Sequence, residues 1–308
     1  MLYLKSSFII VLLTALLTAQ TPESKLIDSN QLLRDDQILS ADDMEGREIG
    51  TPGGVKAREY VLKRFKEAGL EPTTTGFLQP FTYKKSQGAN VFGIIRGARY
   101  ADKYFSITAH YDHLGIKKGS IYNGADDNAS GTAAIIALAT YFKKHQPDIS
   151  LIFVAFDAEE AGLAGSKTFI AEPPIRRESI VANINLDMVG RNDKNELYAC
   201  GTYHYPFLKS YLEKIAGAAK VKLLLGHDRP EQGSDDWTLQ SDHGSFHRQN
   251  IPFIYFGVED HKDYHKPTDD YEKLDKDFFV HGAEAVLETI KLLDSHAKDI
   301  SAHRKLEK

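Results

Sequence analysis

Apolar residues along this chain come in short unbroken runs, and polar residues gather where the runs stop. "NVFGIIRG", "YFSITAH", "ISLIFVAFDAEE", "SIVANINLDMVG" and "IPFIYFGVED" are rich in β-branched and aromatic residues and hardly alternate. That is the pattern of strands buried on both faces. Between them "ASGTAAIIALATYFKKH", "AGSKTFIAE" and "YPFLKSYLEKIAGAAK" read as helices, and "KDFFVHGAEAVLETIKLLDSH" as a last amphipathic one. Upstream, the turn-rich "MEGREIGTPGG" leads into "VKAREYVLKRFKEAGL", where Val55, Tyr60, Val61, Phe65 and Leu70 approximate helical spacing and Gly69 closes the helix. Strands alternating with helices predict an α/β fold with a mostly parallel central sheet flanked by helices. No repeat, low-complexity tract or linker divides the chain after the N-terminus, so residues 20–308 are expected to form one domain.

The first residues follow a different pattern. Lys5 precedes an apolar run from Phe8 to Leu17, and Thr18, Ala19 and Gln20 return the chain to polarity. The run falls short of the ~20 apolar residues that span a bilayer, and it fits an export signal over residues 1–19. Leu17 stands where a small residue is usual, and an uncleaved anchor is the rival reading. The expected product is periplasmic or extracellular, with no stable membrane association once the signal is cleaved. Cys200 is the one cysteine and can form no internal disulfide, so a large core must hold the fold. A net charge of -5 without a Lys/Arg cluster gives no sign of a nucleic-acid partner. The oligomeric state is not legible.

The polar residues carry the chemistry. "YFSITAH" runs into His110, Tyr111 and Asp112; "LIFVAF" into Asp157, Glu159 and Glu160; "ANINL" into Asp187. Open parallel sheets bind ligands beyond the carboxyl ends of their strands, so these groups are expected on one rim. "NGADDNASG" adds Asp126 and Asp127 just before a helix, where Asp, Asn and Ser also serve as ordinary caps. So many carboxylates on one rim repel one another unless cations sit among them. Two divalent ions balance three carboxylate ligands and a hydroxide. Imidazole and carboxylate donors suit zinc, with cobalt or manganese as alternatives. Adjacent side chains leaving a strand diverge, so of Glu159 and Glu160 one can ligate while its neighbour acts as a general base.

"AHYDHLG", "NGADDNASG", "FDAEEAGLAGS", "NLDMVG" and "YHKPTDD", in this order, resemble the co-catalytic zinc aminopeptidases of peptidase family M28. "MEGREIGTPGG" and "SDHGSFHRQNIPFIYF" extend the likeness from about Asp42 to the final helix. The resemblance implies that His110 and Asp187 hold one zinc and Glu160 and His265 the other, with Asp126 bridging them. It implies Glu159 as general base, Asp112 as the acceptor that orients His110, and a cis peptide between Asp126 and Asp127. The activity implied is removal of N-terminal residues from peptides, through a water activated between the ions. A single-zinc glutaminyl cyclase, a carboxypeptidase or amidohydrolase on the same scaffold, and a non-catalytic binding domain are the alternatives.

Other residues have plainer readings. His261 competes with His265 for the ligand role. His243 and His247 are spaced i, i+4, but no Glu follows His243 and Gly244 weakens a helix, which predicts a solvated loop. Ser130 lacks a G-x-S-x-G setting and reads as helix-start chemistry. Trp237 reads as loop packing that could also wall a pocket, and Cys200 as a small buried residue at a strand end.

Overall fold

The computed structural model describes residues 22–304. The expected export signal over residues 1–19 lies outside the described residues. Ten strands occur among these residues: β1 (Leu78–Tyr83), β2 (Ser86–Ile95), β3 (Tyr100–His110), β4 (Gly115–Lys117), β5 (Ser120–Tyr122), β6 (Ile149–Phe156), β7 (Ile180–Leu186), β8 (Glu196–Cys200), β9 (Lys222–Leu225) and β10 (Phe253–Gly257). The helices are α1 (Ser29–Leu39), α2 (Pro52–Glu67), α3 (Gly131–Lys144), α4 (Ala164–Ala171), α5 (Lys209–Ala216), α6 (His243–His247), α7 (Lys276–Ser295) and α8 (Ala297–Ala302). Eight strands form one sheet in the order β1-β2-β6-β3-β7-β10-β8-β9, and β4 and β5 make a separate hairpin.

The central strands β6, β3, β7 and β10 run parallel. With β2, which pairs antiparallel with β6, they are the five strands that the unbroken apolar runs predict, and every residue of β6, β7 and β10 is buried. The two-residue period of a strand splits each run between two cores. Leu151, Phe153 and Ala155 of β6 join the larger core with side chains of α1, α2, α3 and α7, while Ile152, Val154 and Phe156 meet Phe169 of α4 and Phe246 of α6.

Sequence patterning misses the sheet's margins. β1 pairs antiparallel with β2 and contains Pro80, which an edge strand tolerates because it need not donate on both sides. β8 and β9 close the opposite edge as short strands, paired over three residues with β10 and over four with each other, too brief for a periodic signal. α1 is also missed; its Leu32, Leu33 and Leu39 are buried, and Asp28 caps it by accepting the Gln31 N–H at 3.0 Å.

The expected solvated loop around His243 is instead the short helix α6, and His243 is fully buried. Its Nε2 lies 2.9 Å from the Trp237 carbonyl, and its ring packs on Phe253 and Tyr255. Tertiary packing outweighs the cost of Gly244 in a helix. Cys200 is buried at the end of β8, as its reading predicts.

Candidate metal centre

Parallel strands deliver the site. His110 is the last residue of β3, Glu159 and Glu160 follow β6, Asp187 follows β7, and His265 lies in the segment after β10. The backbone turns sharply where these groups emerge: Ala158, Met188 and His265 all have left-handed backbone, with φ of 60°, 60° and 53°. Non-glycine residues adopt this region uncommonly, and it gathers at functional sites.

The start of α3 is pressed against the end of β7. Asn128 donates to the Leu186 carbonyl at 2.9 Å and accepts the N–H groups of Gly131 and Met188. A Cβ on Gly131 would stand 2.5 Å from the Leu186 carbonyl oxygen, so only glycine permits this approach. Ser130 stands at the start of α3 without a side-chain cap bond; its hydroxyl donates to the Asp126 carbonyl at 2.8 Å and accepts the Val189 N–H at 3.0 Å. Beneath lies Arg47, fully buried, which donates to the carbonyls of Leu39, Tyr111, Asn123 and Gly124 at 2.5 to 2.9 Å. It thereby ties the "MEGREIG" segment to both loops that carry site residues.

Asp126 and Asp127 diverge. Asp126 accepts the Gly190 N–H at 2.6 Å and lies 3.1 Å from His261 Nε2. Asp127 Oδ1 lies 3.4 Å from His110 Nε2, whereas its Oδ2 lies 3.1 Å from His265 Nε2. His110, Asp127 and Asp187 form one potential metal-binding group, and His113, Asp127 and Glu160 a second. The carboxylate between the two groups is therefore Asp127, which corrects the expectation for Asp126. The one cis peptide among the described residues joins Asp127 to Asn128, one residue beyond the expected position. Two neighbouring aspartates look alike in sequence, and the turn into α3 decides which one faces the rim. The two histidines of "HKDYH" sort in the same way, His261 to Asp126 and His265 to Asp127 and Glu160.

The remaining site residues converge as expected. His110 Nε2 lies 3.2 Å from Asp187 Oδ1, and His265 Nε2 lies 3.3 Å from Glu160 Oε2. Asp112 lies behind His110, with its carboxylate 3.5 Å and its carbonyl 3.2 Å from Nδ1. The same carboxylate accepts the N–H groups of Glu159 at 3.0 Å and Glu160 at 3.3 Å. Asp269, which the motifs had not singled out, accepts the backbone N–H groups of Asp126 and Asp127 at 3.1 Å each. Burial, with Asp126 nearby, raises its carboxyl to about 6.

Charge is unevenly distributed over the rim. Against the effect of burial, the imidazoles of His113, His110 and His265 hold Asp127 well below the usual carboxylate range. Asp127 and Glu160 raise His265 to about 10, again against burial. Glu159 is the opposite case: burial pushes its carboxyl well above the ordinary range, and Asp187, Asp242 and Glu160 add to the push while His110 opposes it. A carboxylate kept basic beside a ligand cluster suits proton transfer.

The donors fit a metal. His113 Nδ1 and Nε2, Asp127 Oδ2 and Glu160 Oε1 are all buried without a hydrogen-bond partner. Orphaned buried polar atoms are rare in folded proteins, and a group of them facing one another is accounted for by a shared cation. The centre opens into a cavity of about 330 Å³ walled by Trp237, Leu239, Tyr255, Val258 and Tyr264. Trp237 is both packing and wall, stacked on His227 with ring centroids 3.8 Å apart.

The sequence profile of peptidase family M28 matches residues 90–290. The chain belongs to peptidase family M28. Among curated proteins it is similar to aminopeptidase YwaD of Bacillus subtilis, with 32% identity over 254 residues, which are 76% of this chain and 50% of that protein. It is also similar to a probable zinc metalloprotease of Pyrenophora teres f. teres, 30% identical over 46% of this chain and 33% of that protein. The chain thus spans half or less of the length of these relatives. Among solved structures, the zinc aminopeptidase BSAP from Bacillus subtilis shares the fold with a TM-score of 0.68 at 18% identity, over 87% of this chain and 96% of that one. Bacteroides thetaiotaomicron glutaminyl cyclase does so with a TM-score of 0.67 at 18% identity, over 88% and 99%. The expected α/β architecture, a mixed sheet with a parallel centre and flanking helices, is the one observed for this M28 chain.

Proposed function

We propose that this chain is an exported zinc aminopeptidase that removes N-terminal residues from peptides, using two zinc ions. His110, Asp187 and Asp127 would hold one ion, Glu160, His265 and Asp127 the other. The observation that carries this reading is the division of Asp127, whose two carboxylate oxygens face different imidazoles 3.4 Å and 3.1 Å away. Such a carboxylate supports two cations rather than the single one of a cyclase. Zinc aminopeptidase relatives support the choice of metal and reaction. No described helix is long and apolar enough to cross a membrane.

Bound zinc would polarise the scissile carbonyl and acidify water for the attack. Glu159, raised by burial, accepts the proton from that water and returns it to the departing amine. Asp112 fixes the imidazole of His110 and the backbone of Glu159 together, so ligand and base keep their relative positions. The wall of Trp237, Leu239 and Tyr264 favours an apolar side chain on the N-terminal residue.

The test is a screen of the purified protein against amino-acid arylamides, N-blocked arylamides and peptides beginning with glutamine, with and without chelator. Free arylamides should be cleaved, blocked ones spared, and activity lost to chelator should return with zinc. Pyroglutamate formation without cleavage, or cleavage indifferent to N-blocking, overturns the proposal.

A further inference from the structure

His113 stands outside the ligand set proposed above, yet its side chain is completely buried, with both ring nitrogens unpartnered. Its Nδ1 lies 2.9 Å from Glu160 Oε1 and 3.7 Å from Asp127 Oδ2. The 2.9 Å approach lacks hydrogen-bond geometry, and both atoms count among the orphans. The contact is at ion-pair distance, and a nitrogen and an oxygen so placed, with an Asp127 oxygen beside them, also fit corners of one coordination shell.

The spacing agrees. A tetrahedral zinc with bonds near 2.0–2.1 Å separates its donors by about 3.3 Å. His113 Nδ1 lies 2.9 Å from Glu160 Oε1 and 3.7 Å from Asp127 Oδ2, and His265 Nε2 lies 3.1 Å from Asp127 Oδ2 and 3.3 Å from Glu160 Oε2, so the Glu160 carboxylate turns one oxygen to each imidazole. The ring is also held from behind. Gly124 has φ of +57°, and a Cβ there would stand 2.5 Å from His113 Cγ and Cδ2. Backbone pressed this closely against the imidazole leaves it little freedom to turn toward another partner.

We infer that His113 is a further protein ligand of the second cation, joining Asp127, Glu160 and His265. This rests on the two-zinc reading above and makes the two ions unequal. The second site has four protein donors and is closed in the manner of a structural zinc. The first, with His110, Asp187 and Asp127, has three and keeps a position open toward the cavity. The open ion is then the one that meets substrate and leaves first to chelator.

The deciding measurement is nuclear magnetic resonance of protein labelled with ¹⁵N-histidine and loaded with ¹¹³Cd²⁺. Three imidazoles, those of His110, His113 and His265, should show nitrogen–cadmium coupling. With two cadmium ions bound and only two imidazoles coupled, the His113 assignment falls while the two-cation reading stands; with no cadmium bound, both fall. His113→Gln, folded by circular dichroism, should keep its first ion and hold its second at least tenfold more weakly in chelator competition. Retention of both ions at unchanged affinity also overturns the inference.

Discussion

One carboxylate oxygen of Asp112, Oδ1, accepts the backbone N–H of Glu159 at 3.0 Å and lies 3.5 Å from Nδ1 of His110. One side chain therefore sets both an imidazole proposed to bind metal and the turn that carries the proposed general base. Asp112→Asn removes the negative charge beside the imidazole and forces its amide toward the Glu159 and Glu160 N–H groups or the ring. Zinc affinity is expected to fall by about 10–100-fold, the range for outer partners of metal ligands. Competition with a chromophoric chelator measures it, and unaltered affinity would remove Asp112 from the centre.

Glu159→Gln keeps the shape of the side chain and removes its basicity. Turnover of an arylamide substrate should drop at least about a hundredfold while both zinc ions remain by elemental analysis. If the variant turned over like the parent, the proton would have to travel through another group.

Asp126 and Asp127 separate a framing role from a ligating one. Asp127→Ala should lose both ions. Asp126→Asn should retain two, since its contacts are the Gly190 N–H and His261, and should cost about 1–3 kcal/mol of stability for the disturbed buried bonds. The opposite pattern of metal content would restore the bridging role to Asp126.

Arg47 lies fully buried with four carbonyl acceptors. Arg47→Ala removes four buried hydrogen bonds and opens a void, while the Gly124 carbonyl keeps the Ala129 N–H; the expected loss is at least about 3 kcal/mol, from stranded buried acceptors and the cavity together. Arg47→Lys should recover little, because a point-like ammonium cannot reproduce the planar fork. Urea denaturation of both variants checks this, and a full rescue by lysine would contradict it.

Burial lowers the His243 imidazole to about 3, so it stays neutral in the folded state. The unfolded chain binds this proton near pH 6.5, so between roughly pH 6.5 and 3 unfolding takes up a proton. Stability is full above that window and declines as pH falls, by up to about 1.4 kcal/mol per pH unit from this residue. His243→Gln should flatten the slope of denaturation free energy against pH; an identical slope would show that other groups carry the acid sensitivity.

Much of the site was legible before the fold was known. His110, Glu159, Glu160 and Asp187 follow apolar runs, and a parallel sheet has only one rim at which such run-ends can meet. The pattern was silent where elements are short or lie at the sheet's edge: β1 with its proline, β8 and β9, and α6, whose His243 lies inside the protein. His113 was visible in "AHYDHLG", but one histidine among 12 carries no sign of direction.

What the sequence determined by itself is the order of elements, the two-faced burial of the central strands and the gathering of acids and imidazoles at their ends. These follow from periodicity and from the chemistry of each side chain. The tertiary structure alone decided between the neighbours Asp126 and Asp127 and gave the inward turn of His113, whereas His265 over His261 was already implied by the motif. Neighbouring residues of one type look alike in sequence, whereas the backbone path around the start of α3 and beyond β10 sends their side chains to different partners. Direction is a property of the folded chain, and a metal centre is built from directions.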